Sequence, residues 1–190
     1  DFARGAAPCN EGILSVLKAA HAPEWRGYLE LKLHGDAGDL ELWMYANAAD
    51  KRALATPFDV PKETVMRLAF PSHPGKAVEM RARNMDKNED EAGRPNMRGG
   101  GTNYFIFPGE SGADAEWLKG EKWRGLVTVA FEAEGKSYAA DPFVLAPTHS
   151  GHVTVATGQF TTARLRGLRD ALWLMIGTSI DHGVVYEVCV

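Results

Sequence analysis

The sequence predicts a mainly β fold, an antiparallel β-sandwich of seven or eight strands followed by a short α/β C-terminal extension. Three observations carry this expectation. Apolar and polar residues alternate with period two in several runs between Tyr28 and Ala140. Clusters of Gly, Asp and Pro separate those runs at short intervals. Before Pro147 no strand pattern is followed by a long helical one, which argues against a parallel sheet.

Taken in order, Ile13–Leu17 is a short apolar run that reads as a strand. In Tyr28–His34, residues Leu29, Leu31 and Leu33 point one way, and Tyr28, Glu30, Lys32 and His34 the other. Gly35–Asp39 is a turn, and Leu40–Tyr45 alternates again, with Leu42 and Met44 opposite Trp43 and Tyr45. Two alternating runs joined by such a loop read as a hairpin. Thr64–Phe70 and Ala77–Arg83 form the next pair around Pro71–Gly75; Val78, Met80 and Ala82 face the core, while Glu79, Arg81 and Arg83 face water. Asn84–Gly101 is a long polar loop, and Thr102–Phe107 is an aromatic strand ended by Pro108-Gly109. Ala113–Leu118 reads as one helical turn, with Asp114 near its N-terminus. Leu126–Phe131 and Lys136–Ala140 make the last hairpin, around Glu134-Gly135, and Phe143–Leu145 extends it.

After Pro147 the character changes. Thr148–Gly151 reads as a linker, Thr161–Leu172 has helical spacing at Leu165, Leu168 and Leu172, and two apolar runs follow, Trp173–Ile176 and Val184–Val190. The expected division is therefore a β-domain over residues 1–147 and an extension over residues 148–190, the start of a larger α/β unit. The extension has too few neighbours of its own to bury both apolar runs, so Trp173, Val185 and Tyr186 are expected to face another protein.

Composition narrows the function. A chain of 190 residues with 45% hydrophobic residues can bury a core without staples. Its net charge of −4 leaves no basic footprint for nucleic acid. No apolar run approaches the ~18 residues that cross a bilayer. The chain begins at Asp1 rather than Met, which suggests either a removed export or organellar targeting peptide or a fragment. Cys9 and Cys189 lie near the two ends, and whether they pair is open.

Four groups of residues point to chemistry. Asp86, Asn88 and Asp90 have the 1-3-5 spacing of oxygen ligands in a calcium loop, but glycine comes at position eight and Met97 stands where the twelfth-position Glu belongs. A solvated acidic loop is the alternative. The six histidines, among them His149 and His152 in the linker, show no metal-ligand spacing. Trp43 and Tyr45 lie opposite Leu42 and Met44, which makes them the ligand- or partner-facing pair of the β-domain, a platform for stacking sugars or a partner surface. Ser179, in a strand-to-turn position, is the nucleophile candidate with a context, though a serine is weak without a positioned base. No complete catalytic site is assembled.

Two stretches resemble known groups. Residues 28–145 resemble uncharacterised bacterial β-domain proteins through Leu29–His34, Gly38–Trp43, Asn88-Glu89-Asp90 with Gly93–Asn96, and Thr102–Gly109. No activity is established for that group, and where its members carry a His-Gly-Gly element before the first strand this chain has Cys9-Asn10-Glu11-Gly12. Trp173–Cys189 is similar to the opening block of SGNH/GDSL-like hydrolases and of the related wall-polysaccharide acetylesterases, in which a strand runs into Gly-Asp-Ser. The resemblance implies that Ser179 of Gly177-Thr178-Ser179 occupies the nucleophile position; Thr178 replaces the family's Asp, and no Asp-x-x-His segment follows before Val190. The expected function is thus a non-catalytic binding or accessory module of a larger assembly. The alternatives are the N-terminal part of an SGNH-like esterase acting on an acylated carbohydrate, and a calcium-dependent binding domain.

Overall fold

The structure, a computed structural model, describes residues 8–46, 56–83, 87–89 and 93–147. These residues form the strands β1 (Ile13–Ala19), β2 (Ala22–Leu33), β3 (Leu40–Tyr45), β4 (Val60–Pro61), β5 (Met66–Ala69), β6 (Ala77–Ala82), β7 (Gly101–Thr102), β8 (Tyr104–Phe107), β9 (Gly125–Ala133), β10 (Lys136–Ala140) and β11 (Phe143–Leu145). The hairpins β2–β3, β5–β6 and β9–β10 fall where the alternation places them. The last turns on Glu134 and Gly135, both at positive φ (52° and 71°), the backbone that a two-residue hairpin loop demands.

The main sheet is antiparallel and closes on itself, which corrects the expected sandwich. β10 pairs with β9 on one side and with β1 on the other, so the ring runs β1-β2-β3-β8-β6-β5-β9-β10 and returns to β1. Closure joins the chain's first strand to its tenth: Leu17 lies opposite Ala140 and Ala19 opposite Tyr138. β11 lies outside the ring, paired with the first part of β9. Eight strands leave an interior that side chains can just fill. Register keeps one set of residues inside all the way round. Leu29 faces Met44, Leu31 faces Leu42 and Leu33 faces Leu40. Leu42 meets Phe105, Met66 meets Met80, and Leu68 meets both Val78 and Val129. All of these except Val78 are at most 1% exposed. Sliding any one of these strands by one residue would turn its apolar set outward.

Aromatic groups cover both ends. Where β5 ends and β9 begins, Phe70 packs edge-on against Trp117 and Trp123, with ring centroids 4.9 and 5.9 Å apart. At the other end Trp25, Phe58 and Tyr138 pack on one another at 5.1–5.8 Å. The expected turn near Asp114 is a 3-10 turn over Glu116–Leu118, and Asp114 Oδ1 accepts the Glu116 N–H at 2.9 Å. Gly38 sits under this turn at φ 80°, where a Cβ would lie 2.3 Å from the Ala115 carbonyl oxygen.

No helix of the described residues is long and apolar enough to cross a membrane. Residues 148–190, and with them the extension, Trp173, Ser179, Val185, Tyr186 and Cys189, lie outside the described residues.

Candidate functional site

The period-two rule that buries one face of β2, β3 and β8 turns Glu30, Lys32 and His34, Glu41, Trp43 and Tyr45, and Tyr104 onto the barrel's outer wall. On this part of the wall Glu30 is wholly buried and Glu41 is 8% exposed. Two segments cover it: a strap running from Pro8 to Gly12, and the loop that leads through residues 93–100 into β7.

Glu30 holds the strap. Its Oε1 accepts the N–H groups of Asn10 (2.7 Å) and Gly12 (2.8 Å). Its Oε2 accepts the Cys9 N–H (3.0 Å), the Asn10 side-chain amide (3.2 Å) and the Tyr45 hydroxyl (3.1 Å). A carboxylate taken out of water needs such a full set of donors. Gly12 makes the approach possible, since a Cβ there would lie 2.7 Å from Glu30 Cγ and 3.0 Å from the Leu31 carbonyl oxygen. Burial, and then the nearby Glu30 charge, push the Tyr45 hydroxyl far above the ordinary phenol range, so it stays a donor. Tyr45 was expected to face a partner. It does lie on the outer face, but it is 6% exposed and supports the strap from beneath.

Glu41 is the second buried carboxylate. His34 Nε2 lies 2.7 Å from Oε2, and the Tyr104 hydroxyl donates to Oε1. Arg83 Nη1 in turn donates to that hydroxyl at 3.1 Å. Burial pushes the Glu41 carboxyl up, yet the hydrogen bonds from His34 and Tyr104 outweigh it and the net displacement is downward. The hydrogen bond to Glu41 raises the His34 imidazole. Burial, then the bond to Glu41, raises the Tyr104 hydroxyl. Directly opposite Tyr104 across the β3–β8 pair is Trp43; the two rings stack with centroids 5.1 Å apart and planes 9° from parallel.

The covering loop is tied down at each step. Asn88 Oδ1 accepts the N–H groups of Asn96 (3.1 Å) and Met97 (2.6 Å), and the Asn96 side-chain amide donates to the Arg83 carbonyl (3.0 Å). Arg98 donates from Nε to Asp59 (2.8 Å) and from Nη2 to both Asp59 and Asn103 Oδ1 (2.8 Å for the latter). Asn103 then donates to the Met44 carbonyl at 2.9 Å. Strap, wall and loop together enclose a cleft of about 500 Å³, lined by Cys9, Asn10, Glu11, Lys32, Glu41, Trp43, Arg94, Pro95, Asn96, Arg98, Asn103 and Tyr104. A second cleft, of about 420 Å³, lies on the other side of Glu41 and takes in His34, Arg83, Asp36 and Asp39. Among the described residues its lining holds no serine, threonine or cysteine.

Of the residues singled out from the sequence, Trp43 and Tyr45 come together on this wall, with Trp43 alone of the two lining the cleft. In the proposed calcium set, Asn88 spends its side-chain oxygen on two backbone amides, while Asp86 and Asp90 lie outside the described residues. Among the described residues no group of three or more His, Cys, Asp and Glu is arranged to hold a metal ion. The sequence reading missed Glu30, Glu41, Tyr104, Arg98 and Asn103 as site residues. The available signal was the run of polar and aromatic residues opposite the leucines of β2 and β3, of which the alternation singles out only Trp43 and Tyr45.

Fold and site define a closed antiparallel barrel that carries a polar cleft with an aromatic floor on its outer wall. No family model, curated protein or solved structure matches the chain.

Proposed function

We propose that this chain is a non-catalytic binding module and that its ligand site is the outer-wall cleft over Trp43. One observation carries the reading: a half-buried tryptophan, stacked on Tyr104, forms part of a concave polar cleft whose walls are fixed by hydrogen bonds. A site whose side chains are already held loses little conformational freedom on binding. Glu41, Glu30 and Asn103 spend their hydrogen-bonding groups on holding one another's neighbours, as supports of a recognition surface do. His34 and Glu41 form an acid–base pair, and among the described residues the cleft that His34 enters brings it no serine, threonine or cysteine side chain.

The test is a ligand-observed NMR screen of a diverse fragment and metabolite set against the full chain, repeated with Trp43→Ala and with Trp25→Ala at the barrel end. Ligands should lose at least tenfold in affinity with Trp43→Ala and keep it with Trp25→Ala. Binding that survives Trp43→Ala and is lost with Trp25→Ala moves the site to the end of the barrel and ends this reading.

A further inference from the structure

The ligand class follows from how the cleft's charges are already used. We propose that the cleft takes an uncharged, hydroxyl-rich ring, that is, a neutral saccharide unit laid on Trp43; the inference rests on the cleft being the binding site. The ionic side chains Lys32, Glu11, Arg98 and Glu41 there have their counter-charges within the chain. Lys32 Nζ lies 3.6 Å from Glu11, Arg98 is held by Asp59, and Glu41 is held by His34 and Tyr104. Arg94 also has an interaction within the chain.

An anionic ligand would set a second negative charge beside Asp59 or Glu11, and a cationic one would have to compete with His34 and Tyr104 for Glu41. A wholly apolar ligand would strip water from these groups and return no hydrogen bonds. A saccharide ring meets both demands. Its C–H face packs on an indole, and its hydroxyls both donate and accept at the rim. Donors remain for them. A guanidinium has five N–H groups, and Arg98 commits three, one on Nε and two on Nη2. The two on Nη1 have no partner among the described residues. Lys32 is an ammonium with three donors, and its Nζ lies 3.6 Å from Glu11, beyond a direct hydrogen bond, so a hydroxyl can bridge the two from the side.

The experiment is a glycan array of neutral, sulfated and uronic-acid oligosaccharides probed with the full chain. It is followed by calorimetric titration of the best neutral hit with wild type, Trp43→Ala and Arg98→Lys. The expected result is binding of neutral glycans in preference to their anionic counterparts, an affinity loss of tenfold or more with Trp43→Ala, and a smaller loss with Arg98→Lys. Arg98→Lys keeps the charge but gives up the forked donor set. Preference for sulfated or uronic glycans overturns the ligand class and leaves the cleft standing. So does an array without hits when the fragment screen gives Trp43-dependent binders of another chemistry. Glycan binding indifferent to Trp43→Ala, with Trp43→Ala as stable as wild type to urea, overturns the class and the cleft together.

Discussion

His34 and Glu41 are bonded across the β2–β3 hairpin, and each shifts the other's titration in the direction that favours the ion pair. The two contributions have opposite pH limits. The folded imidazole titrates above its ordinary value of 6.5, so its stabilisation is complete below that value and is lost as pH rises through the raised one. The folded carboxyl titrates below its ordinary value of 4.5, so its stabilisation is complete above 4.5 and is lost as pH falls through the lowered one. The pair therefore stabilises the barrel most between pH 4.5 and 6.5. The effect is modest, because the His34 side chain is 36% exposed and partly screened. Urea midpoints of wild type and His34→Gln, compared across pH, should differ most inside that window and converge above it. A difference that does not change with pH would mean that the contact in question is not an ion pair.

At the scale of elements, the strap depends on one close approach. Gly12→Val places a branched side chain where Glu30 Cγ and the Leu31 carbonyl now sit, so the strap should lift from Glu30. The amides of Cys9, Asn10 and Gly12 then lose their acceptor. Hydrogen exchange at residues 9–12 should become at least tenfold faster while the amides of β3 and β8 keep their protection, since the core on the other side of the sheet is untouched. Equal acceleration throughout would make the strap part of the barrel's cooperative unit. The strap also shows where sequence reading stops. The hairpins were legible because alternation and turn residues are local signals: Leu29–Leu33 against Leu40–Met44, and Glu134-Gly135 at a tip. The start of β2 was not, because Pro23, Glu24 and Arg26 break the apolar rhythm around Trp25. Nor was the burial of Glu30 and Glu41. A polar residue on the outward face of a strand reads as wetted, but Glu30 is held by a strap 18–21 residues earlier with no periodicity of its own, and Glu41 by Tyr104 of β8, 63 residues later in the chain.

For the molecule as a whole, the difference between a sandwich and a barrel is one pairing. Period-two patterns fix which residues of a strand face inward, and both architectures need the same inward sets. The choice is made by β1 meeting β10 over more than 120 residues of chain, with Ser15 Oγ donating to the Asp141 carbonyl at 2.6 Å beside the seam. Among the described residues the core runs as far as Leu145 and Ala146, both fully buried. Deleting residues 150–190 should therefore leave a single cooperative unfolding transition, with a melting temperature within about 4 °C of the full chain; loss of that transition would place residues beyond 147 in the core. The claim that organises the rest is that the outer wall over Trp43 is where this protein meets its ligand. The most direct measurement is a ¹H–¹⁵N chemical-shift titration of the labelled full chain with the tightest ligand found. The largest shifts should fall on the Trp43 indole and on the amides of Lys32, Glu41, Asn96 and Asn103, with Trp25, Phe58 and Tyr138 unmoved. Shifts centred on Trp25, Phe58 and Tyr138, or on β5 and β6, would contradict it.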